Sequence, residues 1–206
     1  MGKTLTAMHP VGNGAKEIIA MESPYVVSVT IEGSASLLFH KWDNEAIEER
    51  ARAKKNSKSK KEDNVESFVY RNDAGEICIP GEYLRQSIIQ AARFKSDPRS
   101  PRKSASDLFK AGITSLTELA SLGVKDWDYL DRRRVMIQRN GITRVRPAMH
   151  KGWRAEFDIQ VFTPEYIDSM LLNEMLMQAG RLIGIGDFRP SYGRFMVVNF
   201  EVKKEV

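Results

Sequence analysis

The order of periodic segments predicts an α+β fold on a β-α-β-β-α-β core, interrupted by a charged insertion and a basic β-hairpin. Three stretches carry that expectation. Trp153 to Phe162 alternates, with Trp153, Ala155, Phe157, Ile159 and Val161 on one face, which is the period of a half-buried strand. Leu84, Ile88, Ala91 and Ala92 recur at helical spacing behind Ile79-Pro80-Gly81. Asn140-Gly141 separates two alternating runs, and an Asn-Gly pair accepts the positive φ angles of a type I′ hairpin turn.

Taken in order, residues 1–23 show little periodicity and read as a flexible N-terminal arm, leaving 24–206 as a single domain. Pro24 to Ile31 is rich in β-branched and aromatic residues and reads as the first strand. Leu37-Leu38-Phe39 resumes the apolar pattern after Gly33 and runs into His40-Lys41-Trp42, a polar and aromatic cluster at a strand end where ligand contacts collect. From about 43 to 66 the composition turns charged, and Lys54 to Lys61 is almost free of apolar residues. A mobile insertion follows from that, either a solvated loop or a basic flap over a polyanion.

Ser67 to Tyr70 and Glu76 to Ile79 flank Asn72-Asp-Ala-Gly75 as a short hairpin. The helix after Gly81 begins with free N–H groups that suit a phosphate, and Arg85, Arg93 and Lys95 add charge. An inserted region of about 96–150 opens with a Pro- and Ser-rich basic loop, continues with one or two short helices between Asp107 and Leu122, and ends in the basic hairpin. Closure at Asn140-Gly141 pairs Arg139 with Ile142, Ile137 with Arg144 and Val135 with Arg146, so Arg139, Arg144 and Arg146 share a face. Thr163-Pro164 reads as N-cap and N1 of a second helix with Ile167, Met170, Leu171, Met175 and Ala179 inward and Gly180 as its stop. Phe195 to Val202 is the last strand.

Composition narrows the function. With 206 residues and 42% apolar content the chain buries one core. No apolar run spans a bilayer and no signal pattern opens the chain, so a soluble, cytoplasmic protein without a membrane partner is expected. Cys78, between Ile77 and Ile79, reads as a buried hydrophobe, and three scattered histidines do not make a zinc site, so neither metal nor cofactor is expected. The net charge of +5 favours a polyanion. From Arg132 to Arg154 there are eight Lys or Arg (Arg132, Arg133, Arg134, Arg139, Arg144, Arg146, Lys151, Arg154) and no Asp or Glu, and solvated faces usually mix the signs.

The stretch from Gly180 to Phe195 holds Gly180, Gly184, Gly186 and Gly193 beside Arg189, Tyr192 and Arg194, a cradle of bare backbone with cations and a ring. It is not a dinucleotide fingerprint, because Arg189 stands where a third glycine belongs. The contacts expected with single-stranded nucleic acid are therefore Arg85, the eight basic hairpin positions, Gly184, Gly186, Arg189, Tyr192 and Arg194. Tyr192 or Trp42 would stack on bases.

The core order is the ferredoxin-like (RRM-like) plan. On that plan the chain resembles the RAMP superfamily of CRISPR RNA-binding proteins, particularly the backbone subunit that coats guide RNA. The first strand leads to Leu37-Leu-Phe-His40. Ile79-Pro80-Gly81-Glu-Tyr-Leu84-Arg85 is similar to the Ile-Pro-Gly-x-x-Leu-Lys start of their first helix. Gly184 to Phe195, ending Tyr192-Gly193-Arg194-Phe195, resembles their C-terminal glycine-rich loop, from which Asp187 departs by adding a negative charge. The resemblance implies a non-catalytic binder of single-stranded RNA, with DNA as the other candidate strand, partnered by copies of itself or other effector subunits. The alternatives are a metal-independent endoribonuclease of the same superfamily, for which His40 is the one weak catalytic candidate, and a phage or mobile-element assembly protein.

Overall fold

The structure, a computed structural model, describes residues 23–41, 65–137 and 140–203, with 135–137 and 140–142 described by their backbone. Residues 1–22 of the expected arm, 43–64 of the insertion, Trp42 and Arg139 lie outside the described residues.

Four strands build the main sheet: β1 (Tyr25–Gly33), β7 (Ile113–Ser115), β11 (Arg154–Val161) and β12 (Phe195–Lys203), in the order β12-β1-β11-β7 with every neighbour antiparallel. Their inward residues make one face apolar. Tyr25, Val27, Val29 and Ile31 of β1 sit beside Val161, Ile159, Phe157 and Ala155 of β11, all buried. The strict two-residue period is what lets a single register bury both sets.

Two helices cover that face. α1 (Gly81–Ala91) buries Leu84, Ile88, Ile89 and Ala91, as its spacing predicts. The second major helix (Ser169–Gln178), here α3, follows the shorter α2 (Ser106–Gly112). Tyr25 anchors the layers: its hydroxyl donates to the Ile167 carbonyl at 2.9 Å, wholly out of solvent. Among the described residues, no helix is long and apolar enough to cross a membrane.

The smaller sheets are assembled from the intervening segments. β2 (Leu37–Leu38) pairs with β10 (Asn140–Met149), which pairs with β9 (Tyr129–Ile137). β3 (Tyr70–Arg71) and β4 (Ile77–Pro80) join β8 (Leu119–Ser121), and β5 (Ser96–Asp97) pairs with β6 (Ser100–Ser104). The expected hairpin around Asn72 is the β3–β4 pair, and Cys78 is buried within it.

Two sequence expectations change. The span from Asp107 to Leu122 holds one helix and then two strands, because Gly112 ends α2 and the β-branched Ile113 and Thr114 enter the main sheet beside β11. The basic hairpin, expected as an element added to the core, lies in its own sheet with β2. α3 starts at Ser169, where the Asp168 carboxylate caps the Leu171 amide at 2.7 Å, and 163–167 is a separate turn in which the Thr163 carbonyl accepts from Tyr166 and Ile167. That phase buries Leu172, Met175 and Leu176 and leaves Met170 63% exposed.

Tyr25→Phe removes only the hydroxyl and strands a buried carbonyl. It is expected to cost about 1–2 kcal/mol in urea unfolding, with an unchanged m-value.

Candidate nucleic-acid interface

The register of β9 and β10 sets which arginines meet. Ile137 pairs with Asn140, Val135 with Ile142, Arg133 with Arg144 and Asp131 with Arg146. Asn140 and Gly141 are therefore strand residues, and the pairing expected from closure at Asn140-Gly141 is displaced toward the N-terminus of the hairpin. The displacement is by an even number of residues, so Arg144 and Arg146 still share a face, now with Arg133 and Asp131.

That shared face points into the protein. Arg133 forms a bidentate pair with Asp131 and donates to the Tyr192 hydroxyl, with its guanidinium 4.6 Å from the Phe188 ring and 4.7 Å from the Tyr192 ring. The hydrogen bonds to Asp131 hold its pKa above the ordinary arginine range. Arg144 lies 2.9 Å from Asp187, and Arg146 3.5 Å from the same oxygen. Arg146 also sits 3.6 Å above the Phe68 ring. Opposite charges about 4 Å apart near a protein surface attract by about 4 kcal/mol before desolvation is subtracted, so two such pairs on one carboxylate decide where the loop rests.

The glycine-rich loop is shaped to meet them. The chain leaves α3 through a π turn (Ala179–Ile183), and Gly184 closes it by donating to the Ala179 carbonyl. Gly186 and Gly193 adopt φ angles of 79° and 70°; a Cβ on Gly186 would strike the Leu38 carbonyl and one on Gly193 the Ile185 carbonyl. Gly193 N–H donates to Ser36 and Asp187 N–H to Leu38, so the loop is stitched to the segment leading into and through β2.

A groove of about 670 Å³ opens between this loop and α1, lined on one side by Tyr83, Gln86 and Gln90 and on the other by Asp187, Phe188 and Arg189, with His40 also on its wall. The His40 pKa is lowered, by burial first and then by the Arg146 and Arg144 charges, with Asp187 opposing. The imidazole is therefore neutral at pH 7, and its Nδ1 is closed from solvent.

The expected contact residues fall into two groups. Arg85 is committed inside the fold: it donates to the carbonyls of Ile113 and Lys110 and pairs with Glu82. The start of α1 beside it is also covered, since Gly81 is buried and its N–H donates to Glu118. Arg154 pairs with Glu32. Gly184 is buried and its carbonyl accepts from Ser87. Tyr192 is half-buried under Arg133, and Arg194 is exposed but donates to the Pro190 carbonyl. The second group faces outward: Arg132 and Arg134 on the other face of β9, Lys151, and Arg189 on the groove rim are exposed, and none pairs with a described residue. Gln86 and Gln90 belong to the groove too. Sequence reasoning missed them, although their four-residue spacing on the outer face of an amphipathic helix was a signal.

The open face of the main sheet is a poor alternative. It presents Glu32, Glu156, Asp158 and Glu201 against Arg154 and Lys203, and no aromatic residue stands among the paired positions of β1, β11 and β12 on that face. RRM domains stack bases on aromatics at that surface, and here neither ring nor positive excess is present.

No protein-family model matches the sequence, and no curated protein matches it. Among solved structures the chain is similar to one in the cryo-EM structure of the Type III-B Cmr-beta bound to cognate target RNA. Identity is 11% and the TM-score 0.56, over 92% of this chain and 64% of that one. The likeness is one of fold. The chain thus spans less than two thirds of that relative's length. A crystal structure of Cmr6 from Pyrococcus furiosus is also similar, at 11% identity and a TM-score of 0.46, over 86% of this chain and 100% of that one.

Two measurements check the site's electrostatics. Asp187→Ala leaves Arg144 and Arg146 facing each other in a poorly solvated spot and is expected to cost about 3 kcal/mol, with Asp187→Asn costing less. His40 binds its proton more readily unfolded than folded. Its contribution to stability is therefore present above its usual pKa of 6.5 and lost as pH falls below it. The thermal midpoint of the wild type should drop further between pH 7.5 and 5.5 than that of His40→Gln, those two pH values being about one unit either side of that pKa.

Proposed function

We propose that this chain is a non-catalytic RNA-binding subunit of the RAMP type, binding a single strand across the groove beside its glycine-rich loop. The order β12-β1-β11-β7, with α1 leading from the β1 side to β7 and α3 joining β11 to β12, supports a ferredoxin-like core. The observation that carries the function is the groove itself. It is large enough for a nucleotide unit, walled by the loop on a fold shared with a chain of an RNA-bound assembly, and bordered by Arg189, a cation without a partner among the described residues. Arg189, Arg132, Arg134 and Lys151 hold phosphates in this reading. Arg133, Arg144 and Arg146 instead hold the wall in place. The resemblance of Ile79 to Arg85 and of Gly184 to Phe195 to RAMP motifs favours RNA over DNA and effector subunits, including further copies, as partners.

Because the Nδ1 of His40 is buried, a general-base role there would fall to its Nε2. A reading as endoribonuclease requires wild-type cleavage that disappears in His40→Ala while binding stays. Assembly into large particles without any nucleic acid would instead favour the structural-protein reading.

Binding of a labelled single-stranded RNA of about 20 nucleotides is expected to weaken steeply with salt, since each phosphate contact releases a counterion. Arg132→Ala with Arg134→Ala, and separately Arg189→Ala, should weaken it about fivefold or more and flatten the slope of log K against log salt by about 0.7 for each phosphate no longer held. Arg85→Ala should lower stability and leave that slope unchanged. Absence of binding at low ionic strength overturns the proposal.

A further inference from the structure

We infer that the groove reads one unstacked adenine base of the bound strand, through Gln86 and Gln90. The inference rests on the RNA-binding reading above and adds base selectivity to it.

Gln86 and Gln90 stand one helical turn apart on α1 and both line the groove. Glu82 Oε1 accepts from Gln86 Nε2 at 2.6 Å and from Arg85 Nη1 at 2.9 Å. A carboxylate only accepts, so the Gln86 amide must turn its NH2 toward Glu82 and keep its carbonyl oxygen as a fixed acceptor. Arg85 holds Glu82 in turn and is itself locked to two backbone carbonyls. The Gln90 side chain bonds to no described residue, so its amide can offer either end.

The loop side supplies an apolar wall. Phe188 lines the groove with its backbone at φ 54°, a conformation held by its own N–H donating to the Asp187 carboxylate at 3.0 Å. Arg133 and Arg144 lie 4.6 and 5.7 Å from the centre of its ring, so the ring does not swing freely. Leu182 and Ile183 extend the apolar lining.

A volume of about 670 Å³ takes a nucleoside comfortably, and a ring beside two amides is the chemistry that receives a splayed base in single-stranded recognition. The fixed acceptor then discriminates. It pairs with the exocyclic amine of adenine or cytosine and repels the keto oxygen that uracil or guanine would place there. Adenine adds a ring nitrogen in the right relation for the Gln90 amide and a purine face for Phe188, and paired donor and acceptor of glutamine suit adenine N6 and N7. Arg189 at the rim meets that nucleotide's phosphate.

The test compares short oligomers of adenosine, uridine and inosine, equal in length and salt, against the full chain. Wild type should bind oligo-A about tenfold tighter than oligo-U, and tighter than oligo-I, in which a keto oxygen replaces the amine of the same purine. Gln86→Leu and Gln90→Leu, both compatible with a helix, should bring the A to U ratio to within about twofold, by weakening oligo-A and, in Gln86→Leu, by relieving the repulsion of the uracil keto oxygen. Equal wild-type binding to A, U and I overturns the inference, and so does an unchanged ratio in both variants. The inosine comparison decides the matter if the variants fail to fold. Binding to none of the oligomers at low salt overturns the RNA-binding reading as well.

Discussion

The groove side of the protein depends on how one carboxylate is shared. Asp187 lies in a loop that fully buries Ile185 but leaves Phe188 half-buried and Arg189 to Ser191 exposed, and its glycines give it many conformations to lose on ordering. Its ion pairs with Arg144 and Arg146 supply the missing constraint, and the amide of the same residue is bound to Leu38. Once the loop is held there, Phe188 and Tyr192 come within reach of Arg133, and the opposing pair Arg133–Asp131 neutralises what would otherwise be a third cation in the same wall. The groove wall is thus built of charge pairs as much as of packed hydrocarbon.

This changes what the basic hairpin means. A window from Arg132 to Arg154 without an acid looks like a surface made for a polyanion. Its counter-ions come from outside the window: Asp131 immediately before it, Glu32 from β1 and Asp187 from the far loop. Linear charge counting sees only neighbours in sequence, and ion pairs are made between neighbours in space. What remains exposed and without an ion-pair partner among the described residues is Arg132, Arg134 and Lys151, together with Arg189 of the loop.

The strands and helices that were legible in the sequence are those whose period is set by the core. β1, β11, α1 and β12 were all visible, since each alternates or repeats against the same buried layer. The misread places lacked that layer. The β9–β10 hairpin stands off the main sheet, so its Asn-Gly pair was free to suggest a turn that the register does not use. The start of α3 was hidden by Thr163-Pro164, a sound cap pattern that here closes a single turn before the Asp168 cap. For the site, the glycine-rich loop and Arg189 were readable, whereas Gln86 and Gln90 carry no charge and no motif. Only the position of α1 against the loop gives them a role.

The triad of Asp187, Arg144 and Arg146 also constrains how the sequence can vary. Removing the acid alone leaves two cations pressed together, and removing one arginine alone leaves the other pair intact but off-centre. The first change leaves a double positive charge and the second a neutral pair, so the energies of substitutions at 187, 144 and 146 are not additive. Position 187, remote from the other two along the chain, is thus constrained from the hairpin, and its acid is least replaceable while both arginines are present.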